Sequence, residues 1–211
     1  MTIWHQRWTA NQIGFHREVV NDVLEKYWAS IEPNPKGSVL VPLCGKSIDM
    51  HWLVEQGHEV IGVELVQKAV DAFFNDANLT PSIEHLDGFT RYTSGKNTIL
   101  QGDVFALSPS LATCQAWYDR AALVALPSSI RPAYVEQIHA LCDPGSVGLM
   151  ITFAYPQEQM QGPPFSLPNE EVEDLFGDSF IVELLEQIPL EDEKDRGLTN
   201  VHSSVYKITK I

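Results

Sequence analysis

The stretches Ser38-Val39-Leu40-Val41-Pro42-Leu43-Cys44-Gly45-Lys46-Ser47 and Val60-Ile61-Gly62-Val63-Glu64-Leu65 decide the fold. Each begins as a short, nearly unbroken apolar run, the pattern of a strand buried on both faces. The first leads into a glycine turn and the second into a carboxylate. Between them, residues 49–56 place Met50, Leu53 and Val54 on one helical side and stop at Gly57. Residues 66–77 read as a second helix, anchored by Val70, Phe73 and Phe74. Strand, helix, strand, helix in this order implies a mostly parallel sheet with right-handed crossovers and helices on both faces.

Further along, residues 89–101 read as a hairpin turning at Ser94-Gly95-Lys96-Asn97, and Ala116-Trp117-Tyr118-Asp119 as another strand. Residues 129–142 form a helix, residues 147–154 an apolar strand, and Asn169-Glu170-Glu171 a capped, acidic helix start. Strands near 180–188 and 202–209 supply an antiparallel edge. Upstream, Val19, Val20, Val23, Leu24, Tyr27 and Trp28 recur at helical spacing, and Pro33-Asn34-Pro35-Lys36-Gly37 ends that arm by turn chemistry. The reading is a single domain over 1–211, with an aromatic and helical arm at 1–36 and an α/β core at 37–211.

Composition narrows the function. The 211 residues are 44% apolar, with 14 Lys and Arg against 28 Asp and Glu, a formal net charge of −14. That opposes a nucleic-acid surface and a polybasic membrane patch, and self-repulsion favours a monomer. Cys44, Cys114 and Cys142 are odd in number and widely spaced, so a disulfide framework is not expected, whereas a reducing, cytoplasmic location is. The seven histidines form no HExxH, so no metal is expected. The N-terminal stretch lacks an apolar signal core, and no run reaches the roughly 20 apolar residues of a membrane helix.

An open α/β sheet binds ligands beyond the carboxyl ends of its strands. Gly45 lets the backbone turn and approach a ligand there. Gly45-Lys46-Ser47 is not a phosphate loop, because Leu40 occupies the position of its first glycine. A dinucleotide GxGxxG is also missing, with Leu43 and Ile48 in the glycine positions. Glu64, 19 residues after Gly45, can accept both ribose hydroxyls of an adenosine. Asp103, in Gln101-Gly102-Asp103-Val104-Phe105, can meet an adenine amino group while apolar neighbours cover the ring. Asp119 and Arg120 place opposite charges in an apolar run. By spacing alone, Trp4, Trp8 and Phe15 read as core residues ahead of a lid over the ligand edge, because packing in a core is the commoner fate of Trp and Phe.

A resemblance sharpens these readings. Arg7-Trp8-Thr9-Ala10-Asn11-Gln12-Ile13-Gly14-Phe15-His16 resembles the N-terminal signature of the thiopurine S-methyltransferases. Val41 to Met50, Gly57-His58 with Gly62-Val63-Glu64, Tyr118 to Pro127, and Gly162-Pro163-Pro164-Phe165-Ser166 are similar to further blocks of that family, in its bacterial branch. The resemblance implies a Rossmann-like class I methyltransferase fold, with S-adenosyl-L-methionine as donor and S-adenosyl-L-homocysteine as product. It carries donor contacts onto Trp8, Leu43, Glu64 and Arg120, puts Asp103 and Val104 at the adenine edge, and makes Phe15 a lid over the acceptor ring. The acidic stretch over 190–196 departs from the family pattern.

The implied reaction is S-methylation of an aromatic or heterocyclic thiol by in-line displacement. On this reading Asp119 accepts a proton, directly or through water, and Arg120 stabilises negative charge on the acceptor. Pairing with Arg120 would hold the Asp119 pKa down. Alternatives are a methyltransferase for halide, simple thiol, selenium or tellurium acceptors, a nicotinamide-dependent oxidoreductase, and a non-catalytic adenosyl-binding module.

Overall fold

The computed structural model describes residues 2–191 and 197–211, so residues 192–196 of the acidic stretch lie outside it. In chain order the elements are α1 (Ile3–Thr9), α2 (Asp22–Tyr27), β1 (Ser38–Pro42), α3 (Asp49–Glu55), β2 (Glu59–Glu64), α4 (Gln67–Asp76), β3 (Ser82–Leu86), β4 (Phe89–Ser94) and β5 (Asn97–Gln101). They continue with β6 (Cys114–Asp119), α5 (Arg131–Leu141), β7 (Cys142–Ile151), α6 (Asn169–Phe176), β8 (Phe180–Pro189) and β9 (His202–Lys210).

The described strands form one nine-stranded sheet in the order β3-β4-β5-β2-β1-β6-β7-β9-β8. The two diagnostic runs are adjacent parallel strands at its middle, with Leu40 opposite Ile61. β5, β2, β1, β6 and β7 are parallel. The expected antiparallel edge is β9 with β8. A second antiparallel edge, β4 with β3, closes the other side. The hairpin over 89–101 is present, and its second strand belongs to the parallel core.

Strand side chains alternate between two cores, as the pleat requires. Leu40, Val63, Leu100, Trp117 and Met150 face α5 and α6 on one side. Val39, Val41, Ile99, Ala116, Tyr118 and Leu149 face α2, α3 and α4 on the other. Each fully buried aliphatic or Phe side chain here contributes roughly 1.5–3 kcal/mol over exposure.

Several local readings need correction. α2 starts at Asp22 because the Asn21 side chain accepts the Val23 and Leu24 N–H groups, which leaves Val19 and Val20 outside the helix. Asn169 is the first helical residue and not the cap; its Oδ1 accepts the Ser204 and Tyr206 hydroxyls. β7 starts at Cys142 and ends at Ile151, and Ala154 makes only an isolated bridge to His202.

Candidate functional site

Chain order reverses between β1 and β6, where the chain has run outward through β2 and β5 before returning to the other side of β1. Such a switch point opens a crevice beyond the strand ends. The loop after β1 borders it with Leu43 at φ +49° and Gly45 at φ +55°. The left-handed region is costly for leucine and free for glycine. A Cβ on Gly45 would lie 3.4 Å from the Trp8 ring.

Glu64 ends β2 and locks this loop. Its Oε2 accepts the Gly45 N–H at 2.8 Å and its Oε1 accepts the Val66 N–H at 2.7 Å. The residue is only 7% exposed, and burial pushes its pKa up against the downward pull of these N–H donors. The Leu65 N–H adds to this pull, and an ionised carboxylate has about four acceptor positions, so acceptor capacity remains for a ligand. Beyond β5, the Gly102 N–H donates to the Glu64 carbonyl at 2.9 Å, and a Cβ at Gly102 would strike the Phe89 ring. Asp103 is exposed and accepts the Phe105 N–H at 3.0 Å.

The N-terminal arm covers the crevice. Phe15 meets Trp4 and Trp8 edge-on, with ring centroids 5.9 and 6.1 Å apart. Trp8 is buried against Val66 and Ala69, and Lys68 Nζ donates to its carbonyl at 2.9 Å. Arg120 Nη2 donates to the Phe15 carbonyl at 3.2 Å, while Arg120 Nε lies 3.5 Å from Asp49 Oδ2. Asp49 is itself buried, accepting the Asn21 N–H at 2.9 Å and the Tyr118 hydroxyl at 3.0 Å. The arm is thus tied to the ends of β6 and α3.

Arm and strand ends enclose a cavity of about 530 Å³, within the usual range for small-molecule sites. Trp8, Phe15, Leu43, Gly45, Glu64, Asp103 and Val104 all line it. Asp119 and Arg120 do not. Asp119 is 2% exposed, with Oδ1 accepting the Ala122 and Leu123 N–H groups and Oδ2 the Tyr134 hydroxyl at 2.7 Å. The expected ion pair with Arg120 is not formed, since Arg120 turns to Asp49, and burial raises the Asp119 pKa where pairing was expected to lower it. Arg7, Gln12, Phe105 and Ile130 line the cavity without having been singled out from the sequence. The two cis peptides Gly162-Pro163 and Pro163-Pro164 shape the opposite wall.

An adenosyl sulfonium fits this chemistry. An acid with open acceptor positions, a second, exposed acid and aromatic faces, which attract cations, border one cavity. Among the described residues no group of His, Cys, Asp and Glu could hold a metal ion, and no helix is long and apolar enough to cross a membrane.

Comparison with known proteins decides the family. The family model described as thiopurine S-methyltransferase matches residues 1–211. The chain belongs to the thiopurine S-methyltransferase family. A thiopurine S-methyltransferase of Pseudomonas aeruginosa strain LESB58 is 47% identical over 185 residues, 87% of this chain and 85% of that protein. One of Shewanella woodyi is 43% identical over 216 residues, 98% of this chain and 97% of that one. Solved structures show the same fold at low identity. A SAM-dependent methyltransferase from Methanosarcina mazei aligns with a TM-score of 0.63 at 13% identity, covering 91% of this chain and 98% of its own. The glycopeptide N-methyltransferase MtfA complexed with S-adenosyl-L-methionine gives 0.61 at 14%, covering 92% and 96%. The fold is therefore that of the class I methyltransferases, and this member of the thiopurine S-methyltransferase family is an enzyme that takes its methyl group from S-adenosyl-L-methionine.

Proposed function

We propose that the chain methylates the sulfur of aromatic and heterocyclic thiols, thiopurines among them, inside the cavity between its N-terminal arm and the strand ends. The observation that carries this is the placement of Glu64 and the Trp4–Trp8–Phe15 cluster on walls of one cavity. The names of the Pseudomonas and Shewanella relatives support the acceptor class.

The donor supplies an electrophilic methyl on a sulfonium, with a neutral thioether as leaving group. The chain's share is positioning, a contribution that reaches about 7–11 kcal/mol in well-oriented reactions. Glu64 holds the ribose diol, and the Leu43–Gly45 turn brings backbone against the donor. Asp103 and Val104 take the adenine edge. Trp8 covers the donor side, and Phe15 stacks on the acceptor ring and keeps water out. An aromatic thiol ionises readily, and the thiolate is its reactive form, so no side-chain base is needed. Asp119 then anchors the turn after β6, and Arg120 braces the arm through the Phe15 carbonyl.

A single unit made of the arm over 1–36 and the core over 37–211 agrees with one continuous sheet. A cytoplasmic monomer is supported by three free, buried cysteines and the net charge of −14. The test is a methyl-transfer assay across thiophenols, thiopurines, alkyl thiols, halides, and selenium and tellurium oxyanions. Aryl and heteroaryl thiols should give the highest kcat/KM. Turnover confined to halides or oxyanions would overturn the proposal.

A further inference from the structure

Among the described residues that line the cavity, the charged ones are Glu64, Asp103 and Arg7. Both acids stand on the strand-end wall, where they suit a cationic donor. Arg7 stands apart, on α1 beside Pro163. Its guanidinium carbon lies 5.5 Å from the Trp4 ring centroid, and Nη1 donates to the Pro163 carbonyl over a long 3.4 Å. The residue is half-buried and makes no ion pair within the described residues. A guanidinium carries five N–H donors, and a half-buried cation is costly without an anionic partner. Here one weak hydrogen bond and one aromatic face hold the group in place and leave its remaining donors available. The cavity therefore has two electrical ends.

We infer that Arg7 is a specificity-determining residue that receives an anionic substituent on the acceptor, so that the preferred acceptors are aryl or heteroaryl thiols carrying a carboxylate. The planar fork of a guanidinium matches a carboxylate through two parallel hydrogen bonds, which a thiolate sulfur cannot reproduce. Aromatic walls at Trp4 and Phe15 position the ring, and Arg7 fixes its orientation by holding the charged end. In a chain of net charge −14, a cation inside the cavity also offsets the field that would otherwise repel such an acceptor.

This inference rests on the thiol methyltransferase reading, and a pair of acceptors separates the two. The probes are 4-mercaptobenzoate and 4-mercaptobenzamide, which differ chiefly in charge. Wild type should prefer the benzoate in kcat/KM. Arg7→Gln should cut that preference by about 10- to 100-fold, the loss expected for a charge-assisted contact. Arg7→Lys, which keeps the charge but not the fork, should fall between, and it preserves the test if the glutamine variant folds poorly. An unchanged benzoate-to-benzamide ratio in both variants would overturn the inference. So would a matching loss of affinity for S-adenosyl-L-homocysteine by calorimetry, because Arg7 would then hold the donor's own carboxylate. Wild type inactive on both thiols would instead overturn the proposed function itself.

Discussion

Replacing Glu64 by glutamine perturbs two things at once, and the structure gives each a size. In the folded chain the carboxylate accepts backbone N–H groups from Gly45 at 2.8 Å and Val66 at 2.7 Å. Glutamine keeps one acceptor oxygen and turns an NH₂ toward the other N–H. One charged hydrogen bond is lost, worth about 1.5–3 kcal/mol. For a chain of this length each kcal/mol shifts the thermal midpoint by about 2–4 °C, so the unliganded variant should melt about 3–12 °C lower. Donor binding should weaken as well, because the ribose diol loses a charged acceptor; a loss of about 1–3 kcal/mol corresponds to roughly 5- to 150-fold in Kd. Calorimetry with S-adenosyl-L-homocysteine, run beside thermal unfolding of the free protein, measures both. A lower midpoint with unchanged Kd would mean that Glu64 only braces the Leu43–Gly45 turn, and the ribose assignment would be refuted.

Three further outcomes follow from the same geometry. Asp119→Asn should cost about 1–3 kcal/mol of stability through weakened bonds to Ala122, Leu123 and Tyr134 while kcat keeps the shape of its pH profile; a collapsed kcat with a shifted profile would make Asp119 the proton acceptor. Phe15→Ala should raise the acceptor's KM more than the donor's, whereas Trp8→Ala should act on the donor and also destabilise by about 3–5 kcal/mol, since Trp8 is buried; reversed KM effects in steady-state kinetics would exchange their assignments. Burial raises the Glu64 pKa in the folded state, so the folded chain holds an extra proton between the ordinary carboxylate value and the raised one, and the stability this group contributes at low pH is lost as pH rises through that window. Ribose hydroxyls favour the ionised form, so calorimetric affinity for S-adenosyl-L-homocysteine should climb with pH across the same window, with proton release; a flat profile would disconnect Glu64 from the ribose.

The centre of the sheet was readable because burial on both faces demands unbroken apolar runs, and β1 and β2 have them. The residues at the ends of those runs are placed by chain geometry alone, which is why Gly45 and Glu64 stood out, whereas Leu43 was singled out through the family resemblance. β3 was missed because Ser82-Ile83-Glu84-His85-Leu86 is largely exposed at an edge and carries no two-faced pattern. α1 was missed for a similar reason, since Trp8 is its one buried residue, and Arg7 was overlooked with it. Asp119 and Arg120 were placed at the end of β6, where the structure has them, but their expected pairing with each other is not formed. Their side-chain directions are set by Tyr134 on α5 and Asp49 on α3, partners that no local period connects to them. The weight of Trp8 and Phe15 came from family resemblance, because an aromatic at a cavity wall and one in a core look alike by spacing.

The most direct test of the central claim is a crystal structure of the full chain with S-adenosyl-L-homocysteine and an aryl thiol. The account predicts the ribose against the Glu64 carboxylate, the adenine edge at Asp103, and the thiol ring against Phe15, with its sulfur toward the donor's sulfur. Ligands seated instead in the separate cavity beside Arg131, Tyr155 and His202, with the cavity under the arm left empty, would contradict it.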